Sequence, residues 1–314
     1  MRNGSIYLLV LGIAVFSGLS AAAADELPGW AFHVRDKVQP PEQPDDGKPK
    51  QIPGSNKSYT QAELNNPNNA VDWFPDEHPP MPKVVVNGAP KVRACGTCHL
   101  ATGYGRPENA SLAGLPKEYL IRQMEDYRDG KRLGNASMSS MAKAISPEDL
   151  EASSAYFSSI KAVPWIRVVE TDTVPKTFVG KGNMRFVLPG GGEEPIGQRI
   201  IEVPEDSDRA EARDPHSANI AYVPKGSVEK GKALALQGGG KTVACTACHG
   251  ADMRGVAGVP PIAGRSAIYI VRQLILMKNG QRTSEQSKLM EAAVKDLNID
   301  DMIALAAYVS AQQP

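Results

Sequence analysis

The sequence lacks the features of a strongly charged binding surface and of a disulfide-stabilised fold. It carries 35 basic and 35 acidic side chains, so its net charge gives no reason to expect nucleic acid as a partner. Only four cysteines occur in 314 residues, and all of them lie in two short segments, which leaves none for a separate disulfide framework. Partners and chemistry must therefore be sought in local motifs.

Long hydrophobic runs are also missing, apart from one near the start. An apolar run from Ile6 to Phe16 follows Arg2 and is succeeded by an Ala-x-Ala sequence at 22–24. This run is shorter than the roughly 20 residues that a membrane-spanning helix needs. We interpret residues 1–24 as a signal peptide cleaved near Ala24 rather than as an uncleaved anchor. The mature chain is then expected to be periplasmic, without a transmembrane segment.

The four cysteines belong to two copies of one motif, Cys-x-x-Cys-His. The first copy contains Cys95, Cys98 and His99, within "ACGTCH". The second contains Cys245, Cys248 and His249, within "ACTACH". The two copies lie 150 positions apart, and the similarity continues beyond them, so the chain contains an internal repeat.

The repeat extends through two further segments. The segment 112–132 aligns without a gap to 262–282, and 138–160 aligns to 290–312 after a two-residue step. Apolar spacing and capping residues predict a helix after each motif and another at the end of each repeat, with Ser146 and Asn298 as N-caps of the last two. Each repeat thus has the order motif, helix, methionine, final helix.

Three kinds of site use two cysteines spaced in this way. Zinc ribbons pair two such clusters at a much shorter separation, and redox dithiols need a thioredoxin-like strand context that this sequence lacks. Covalent haem attachment uses both thiols, which add to the porphyrin vinyl groups, and also uses the adjacent histidine as iron ligand. The pattern favours two covalently bound haem c groups, because this interpretation uses every residue of the motif.

A haem iron needs a sixth ligand or an open face. Met138 and Met290 occupy equivalent places shortly before the final helices and are the candidate ligands. A methionine near a helix is also ordinary core filler, and Met141 is an alternative to Met138. Histidine with methionine would give a high-potential iron suited to electron transfer.

These segments resemble the tandem dihaem cytochromes c of the cytochrome c4 type. The resemblance rests on "CGTCH" and "CTACH", on "LAG" and "IAG", on "YLIRQ" and "YIVRQ", and on the methionine ahead of each final helix. It implies a mainly α fold with two class I cytochrome c domains in tandem, and electron transfer in the periplasm. In that family a proline carbonyl receives the proton of the ligating histidine. Pro260 matches it, whereas Ala110 stands in the first repeat.

The resemblance leaves two parts of the chain unassigned. Residues 25–90 are rich in proline and polar residues and are predicted to form an extended arm, which Trp30 and Trp73 anchor to the body of the protein or to a partner, with packing within the chain favoured. Residues 163–225 are predicted to form a small insertion with short strands, packed across both repeats. The cytochrome c domains are expected at 91–162 and 226–314. His33 and His216 stand alone in the sequence and are interpreted as surface or structural residues.

Two functions are consistent with this organisation. The first is a dihaem carrier, or the cytochrome subunit of a dehydrogenase complex. It takes electrons from a periplasmic dehydrogenase or a quinol-oxidising complex and delivers them to a terminal oxidase or another cytochrome. The second is a dihaem enzyme, peroxidase-like or thiosulfate-oxidising, in which one haem has an open or unusual ligand position. Methionines at matching places in both repeats favour the carrier. A third interpretation, structural metal sites in a scaffold protein, predicts a colourless protein.

Overall fold

The computed structural model describes Met1 and residues 27–41 and 45–314. The predicted signal peptide falls almost wholly outside these residues. Within them, no helix has the length and apolar character needed to cross a membrane. Below, "arm" denotes residues 27–90, "first repeat" 91–162, "insertion" 163–225 and "second repeat" 226–314.

Helices make up most of the regular structure outside the insertion, as predicted. The helices of the arm and first repeat are α1 (Gln61–Asn65), α2 (Lys83–Val86), α3 (Gly96–His99), α4 (Lys117–Arg128), α5 (Ala136–Ala144) and α6 (Pro147–Ser159). Those of the second repeat, numbered after α7 of the insertion (Ser207–Glu211), are α8 (Ser227–Gln237), α9 (Thr246–His249), α10 (Ala267–Lys278), α11 (Glu285–Lys288), α12 (Glu291–Val294) and α13 (Ile299–Ser310).

The predicted caps of the two final helices are confirmed. The Ser146 side chain accepts the amide proton of Asp149 at the start of α6, and Pro147 takes the first helical position. Asn298 and Asp301 form a reciprocal capping box at the start of α13. By contrast, no helix was predicted at α5, which carries Met138 and is capped by the Asn135 side chain.

Seven strands lie in the insertion within the described residues: β1 (Ile166–Thr171), β2 (Thr173–Pro175), β3 (Thr177–Val179), β4 (Arg185–Val187), β5 (Glu193–Pro195), β6 (Ile201–Pro204) and β7 (Asn219–Pro224). Strand β7 pairs in parallel with β1 and antiparallel with β6, while β2–β5 and β3–β4 form separate antiparallel pairs. Ala221 and Val223 of β7 join the core formed by α8, α10 and α13. The central sheet thus buries one face against the second repeat.

A symmetric polar contact joins the two repeats. Arg132 and Arg282, 150 positions apart, are both buried, and each donates to the same oxygen, Gln123 Oε1, at 2.7 Å. Arg132 also donates to the Tyr269 hydroxyl at 2.8 Å. Backbone bonds from Leu133 to Gln281 and from Thr283 to Lys131 flank the arginines. The equivalent segments of the repeats therefore face each other around an approximate two-fold axis.

Candidate haem sites

Each Cys-x-x-Cys-His motif folds as a single helical turn, α3 in the first repeat and α9 in the second. The amide of His99 donates to the Cys95 carbonyl at 3.0 Å, and that of His249 donates to the Cys245 carbonyl at 2.9 Å. The spacing i, i+3 and i+4 places both cysteines and the histidine of one motif on the same face of this turn. No disulfide joins any of the four cysteines.

Each motif histidine is held through one ring nitrogen. His99 Nδ1 lies 2.8 Å from the carbonyl oxygen of Ala110, and His249 Nδ1 lies 2.8 Å from that of Pro260. A carbonyl oxygen only accepts, so Nδ1 carries the proton and Nε2 keeps its lone pair for a metal. Ala110 thus presents its carbonyl as Pro260 does, although the family's proline is absent there.

Burial lowers the pKa of both His99 and His249 below the ordinary 6.5. The rings are therefore neutral near pH 7, which is the form that ligates iron. Dense packing raises the pKa of the half-buried Cys95 thiol to about 12 and that of Cys245 to about 11. Redox-active cysteines have lowered pKa values instead, so this environment argues against catalytic dithiols.

The zinc interpretation also lacks support in the described part of the chain. There, no three histidine, cysteine or acidic side chains gather into a group able to hold a metal ion. A structural zinc site needs four such ligands. By contrast, covalent haem attachment needs two thiols and one imidazole per site, and each motif supplies these.

Buried cationic groups near the repeat interface are a further feature that suits haem. The Nε atoms of Arg106, Arg132, Arg265 and Arg282 are buried without a hydrogen-bond partner among the described residues. A buried donor of this kind is costly unless an acceptor meets it. Haem carries two propionate carboxylates, which are acceptors of the required kind. The residues present therefore fit haem.

The candidate methionine ligands occupy different local structures in the two repeats. Met138 is half-buried in the first turn of α5, and Met141 lies on the same helix one turn later, also half-buried. Met290 immediately precedes the short helix α12 and packs against the core of the second repeat. Ligation by Met138 and Met290 stays a prediction, with Met141 as the alternative in the first repeat.

One buried cluster was missed by the sequence interpretation. The side chain of His33, in the arm, is buried, with Nε2 3.0 Å from Glu108 Oε1. Arg272 Nη2 lies 2.7 Å from the other oxygen of that carboxylate. Burial opposes ionisation of Glu108, but His33 and Arg272 outweigh it and hold the pKa of Glu108 below its ordinary value. His33 is thus a structural residue but not an isolated one. The three residues are far apart in sequence, so no local pattern signals the cluster.

His216 also has partners contributed by the arm. Its Nε2 lies 2.8 Å from Glu77 Oε2, and its ring stacks on Phe74 at a centroid distance of 3.9 Å. Nearby, the Trp73 indole donates to the Ala212 carbonyl at 2.8 Å. Trp73 therefore anchors the arm to the insertion within the chain.

Comparison with known proteins places these sites in a family. A family model described as Cytochrome c matches residues 228–313. The chain is 35% identical over 80 residues to cytochrome c-554(548) of Halomonas halodenitrificans, a match covering 25% of this chain and 96% of that protein. It is 26% identical over 226 residues to cytochrome c4 of Pseudomonas aeruginosa, covering 71% of this chain and 85% of the relative.

A further relative is named thiosulfate dehydrogenase electron acceptor, from Thiomonas intermedia. The chain is 28% identical to it over 228 residues, covering 71% of this chain and 80% of that protein. The matches to full-length relatives extend well beyond one repeat. Together with two equivalent histidine sites, they show that this chain belongs to the cytochrome c family as a cytochrome c4-type electron-transport protein with two covalently bound haem c groups.

Proposed function

We propose that the chain is a periplasmic carrier with one haem in each repeat, taking electrons from a dehydrogenase or a quinol-oxidising complex and passing them to a terminal oxidase or another cytochrome. The observation that carries this proposal is the equivalence of the two sites. His99 and His249 each donate through Nδ1 to a carbonyl eleven residues later, at the same distance of 2.8 Å. Two closely matched sites suit transfer of electrons rather than chemistry at one haem.

The residues proposed to hold each cofactor follow from the repeat. Cys95 and Cys98 attach one haem, and Cys245 and Cys248 attach the other. The imidazoles of His99 and His249 ligate the two irons through Nε2, because Nδ1 is already committed to a carbonyl. When bound, each haem supplies an iron that takes up and releases one electron.

Met138 and Met290 are proposed as the second protein ligands of the two irons. A thioether is neutral, and burial keeps each motif imidazole neutral, so these side chains would bring no charge to the iron. Ligation by histidine and methionine raises the reduction potential and closes the iron to small ligands. The Asn135 cap at the start of α5 would hold Met138 in place, since its side chain accepts the Met138 amide proton at 3.0 Å.

The relatives favour a dehydrogenase as the electron donor. Two of them, from Thiomonas intermedia and Stutzerimonas stutzeri, are named thiosulfate dehydrogenase electron acceptor. We therefore propose a dehydrogenase acting on a reduced sulfur compound as the donor class. A dihaem enzyme with one open haem face is the competing function, and the ligand experiment separates the two.

The experiment measures the weak far-red sulfur-to-iron absorption band of the oxidised, haem-loaded protein. Met138→Ala and Met290→Ala are each expected to remove about half of this band, because each would leave one iron with its methionine ligand. Met141→Ala and Met277→Ala are the matched controls and should leave the band unchanged. Loss of the band on Met141→Ala would transfer the ligand role to Met141.

A band that disappears completely with one substitution, and is untouched by the other, would contradict the carrier. It would show that one iron has no methionine ligand. Rapid cyanide binding at that haem in the unsubstituted protein would then support the enzyme instead.

A further inference from the structure

The two attachment motifs differ strongly in how much protein covers them. In the first repeat Thr97, between the two cysteines, is 5% exposed, and residues 100–102 are all buried. The equivalent positions of the second repeat are Ala247, which is exposed, and residues 250–252, of which Ala251 and Asp252 are exposed. The same local fold is therefore hidden in one repeat and open in the other.

The cover over the first motif comes from the two non-repeating parts of this chain. Arg213 of the insertion donates through Nε to the Thr97 carbonyl at 3.2 Å. Ala70 of the arm lies so close to Gly96 that a Cβ at Gly96 would stand 2.8 Å from the Ala70 Cβ. The aromatic residues Trp73 and Phe74 line a small cavity together with residues 100–102.

This cover is held together by hydrogen bonds from the arm to the insertion and to the first repeat. The Trp73 indole donates to the carbonyl of Ala212, the residue immediately before Arg213. His78 Nδ1 lies 3.0 Å from the Tyr156 hydroxyl, which donates to the Ala101 carbonyl at 2.6 Å. The first motif is thus bound by one arginine and by an apolar, partly aromatic surface.

The corresponding surface of the second repeat is apolar and nearly neutral. Val243 is 49% exposed and Val256 is 54% exposed, and three alanines of the same segment are also exposed: Ala247, Ala251 and Ala257. Lys241 at its edge is paired with Asp301 at 2.9 Å. Asp252 and Arg254 carry opposite charges within it. We call residues 243–257 the open face.

We infer that the open face is the docking site for a redox protein, which presents to it a basic side chain beside an apolar or aromatic one. The insertion places Arg213, and the arm places Trp73 and Phe74, on the equivalent surface of the first repeat. These contacts indicate which side chains the open face of the second repeat would bind. The arm and insertion occupy the equivalent surface of the first repeat, so a partner would dock at the second repeat. This inference rests on the proposed carrier function.

The first test measures electron transfer from a protein probe. The probe is a small reduced monohaem cytochrome c whose exposed haem edge is ringed by lysines, and ascorbate serves as the small-molecule reductant. In stopped-flow reduction of the oxidised chain, Val256→Lys is expected to lower the second-order rate with the protein probe by about tenfold, since like charges at a docking face reduce association. Its rate with ascorbate should stay within about twofold, because ascorbate needs no docking face.

Two further variants control this measurement. Val187→Lys adds the same charge to the partly exposed β4 strand of the insertion and should leave both rates unchanged. Val256→Glu removes the same apolar side chain but adds the opposite charge, so it should slow the protein probe less than Val256→Lys does. Equal slowing by Lys and Glu would overturn the basic character of the partner, and no slowing by either would overturn the docking site.

A second test measures contact between the chain and the protein probe in the absence of electron transfer. Hydroxyl-radical footprinting of the oxidised chain with the oxidised probe is expected to protect the open face and to leave residues 70–74 and 97–102 unchanged. Protection of the open face that grows with the concentration of this chain alone would identify a second copy as the occupant and overturn the proposal. Failure of the carrier function is seen separately, as a missing far-red band, whereas failure of this inference leaves that band intact.

Discussion

The two repeats place their motif histidines in the same way but surround them differently. The histidine-to-carbonyl bonds match in length and spacing, although Ala110 replaces Pro260. The first motif is covered by the arm and insertion, whereas the second is open. The short motif therefore determines how the histidine is held, while segments outside the repeat determine whether another protein can contact the motif.

The largest expected effect comes from removing the anchor of the cover. Trp73 is 2% exposed, and its indole is bonded to Ala212. Trp73→Ala is expected to lower the free energy of unfolding by about 4 kcal/mol, because it leaves a large cavity and an unpaired carbonyl. It should also speed amide exchange in residues 96–102, which lose their cover. Urea unfolding and native-state hydrogen exchange measure the two effects.

Trp30→Ala is the matched control for this change. Trp30 also lies in the arm, but it packs against the core of the second repeat. We expect it to lower stability without changing amide exchange in residues 96–102. If both substitutions speed exchange there equally, Trp73 is not the anchor of the cover.

A second difference between the repeats lies at the start of the helix after each motif. Helix α4 begins after Pro116 without a side-chain cap, whereas α10 has Ser266 and, in addition, Glu202 of β6, which accepts the Ile268 amide proton at 2.9 Å. Burial raises the pKa of Glu202 to about 7 from its ordinary 4.5, although the bond from Ile268 opposes this. The native state thus holds a proton that the unfolded chain has released in this pH range.

Stability contributed by Glu202 is therefore lost as the pH rises from about 4.5 to about 7. Glu202→Gln keeps an acceptor for Ile268 but does not titrate. Its stability relative to the unsubstituted protein is expected to rise by up to about 3 kcal/mol between about pH 4 and pH 8. Urea unfolding at both pH values measures this difference. Glu205→Gln, on the exposed end of the same segment, should show no such rise, and a rise equal to that of Glu202→Gln would refute the assignment.

The smallest expected effect concerns the residue whose backbone carbonyl accepts the hydrogen bond from each motif histidine. Ala110→Pro gives the first repeat the residue of the second and keeps the carbonyl that His99 uses. The preceding turns match, with bridges between Arg106 and Asn109 and between Val256 and Val259. We expect a gain of about 0.5 kcal/mol from the restricted unfolded chain, and an unchanged haem spectrum. Thermal unfolding measures the gain, and a changed spectrum would show that the two turns are not interchangeable.

Short-range patterns in the sequence predicted much of the fold. Ser146 and Asn298 were predicted as helix caps and are confirmed, because a cap depends on a few neighbouring residues. Helix α5 was missed, since its residues 136–144 include three serines and lack a clear apolar face. The cluster of His33, Glu108 and Arg272 was missed because its members come from three separate regions.

The sequence by itself determined the cofactor chemistry, the internal repeat and the family. Each motif consists of residues close together in the chain, whose spacing limits what they can bind, and aligning one segment of the chain with another reveals the repeat. Only the tertiary structure decided that Arg213 and Trp73 cover one motif while the other stays open. Such contacts join residues more than a hundred positions apart, and their free energy comes from burial and hydrogen bonds that exist only once the chain has folded.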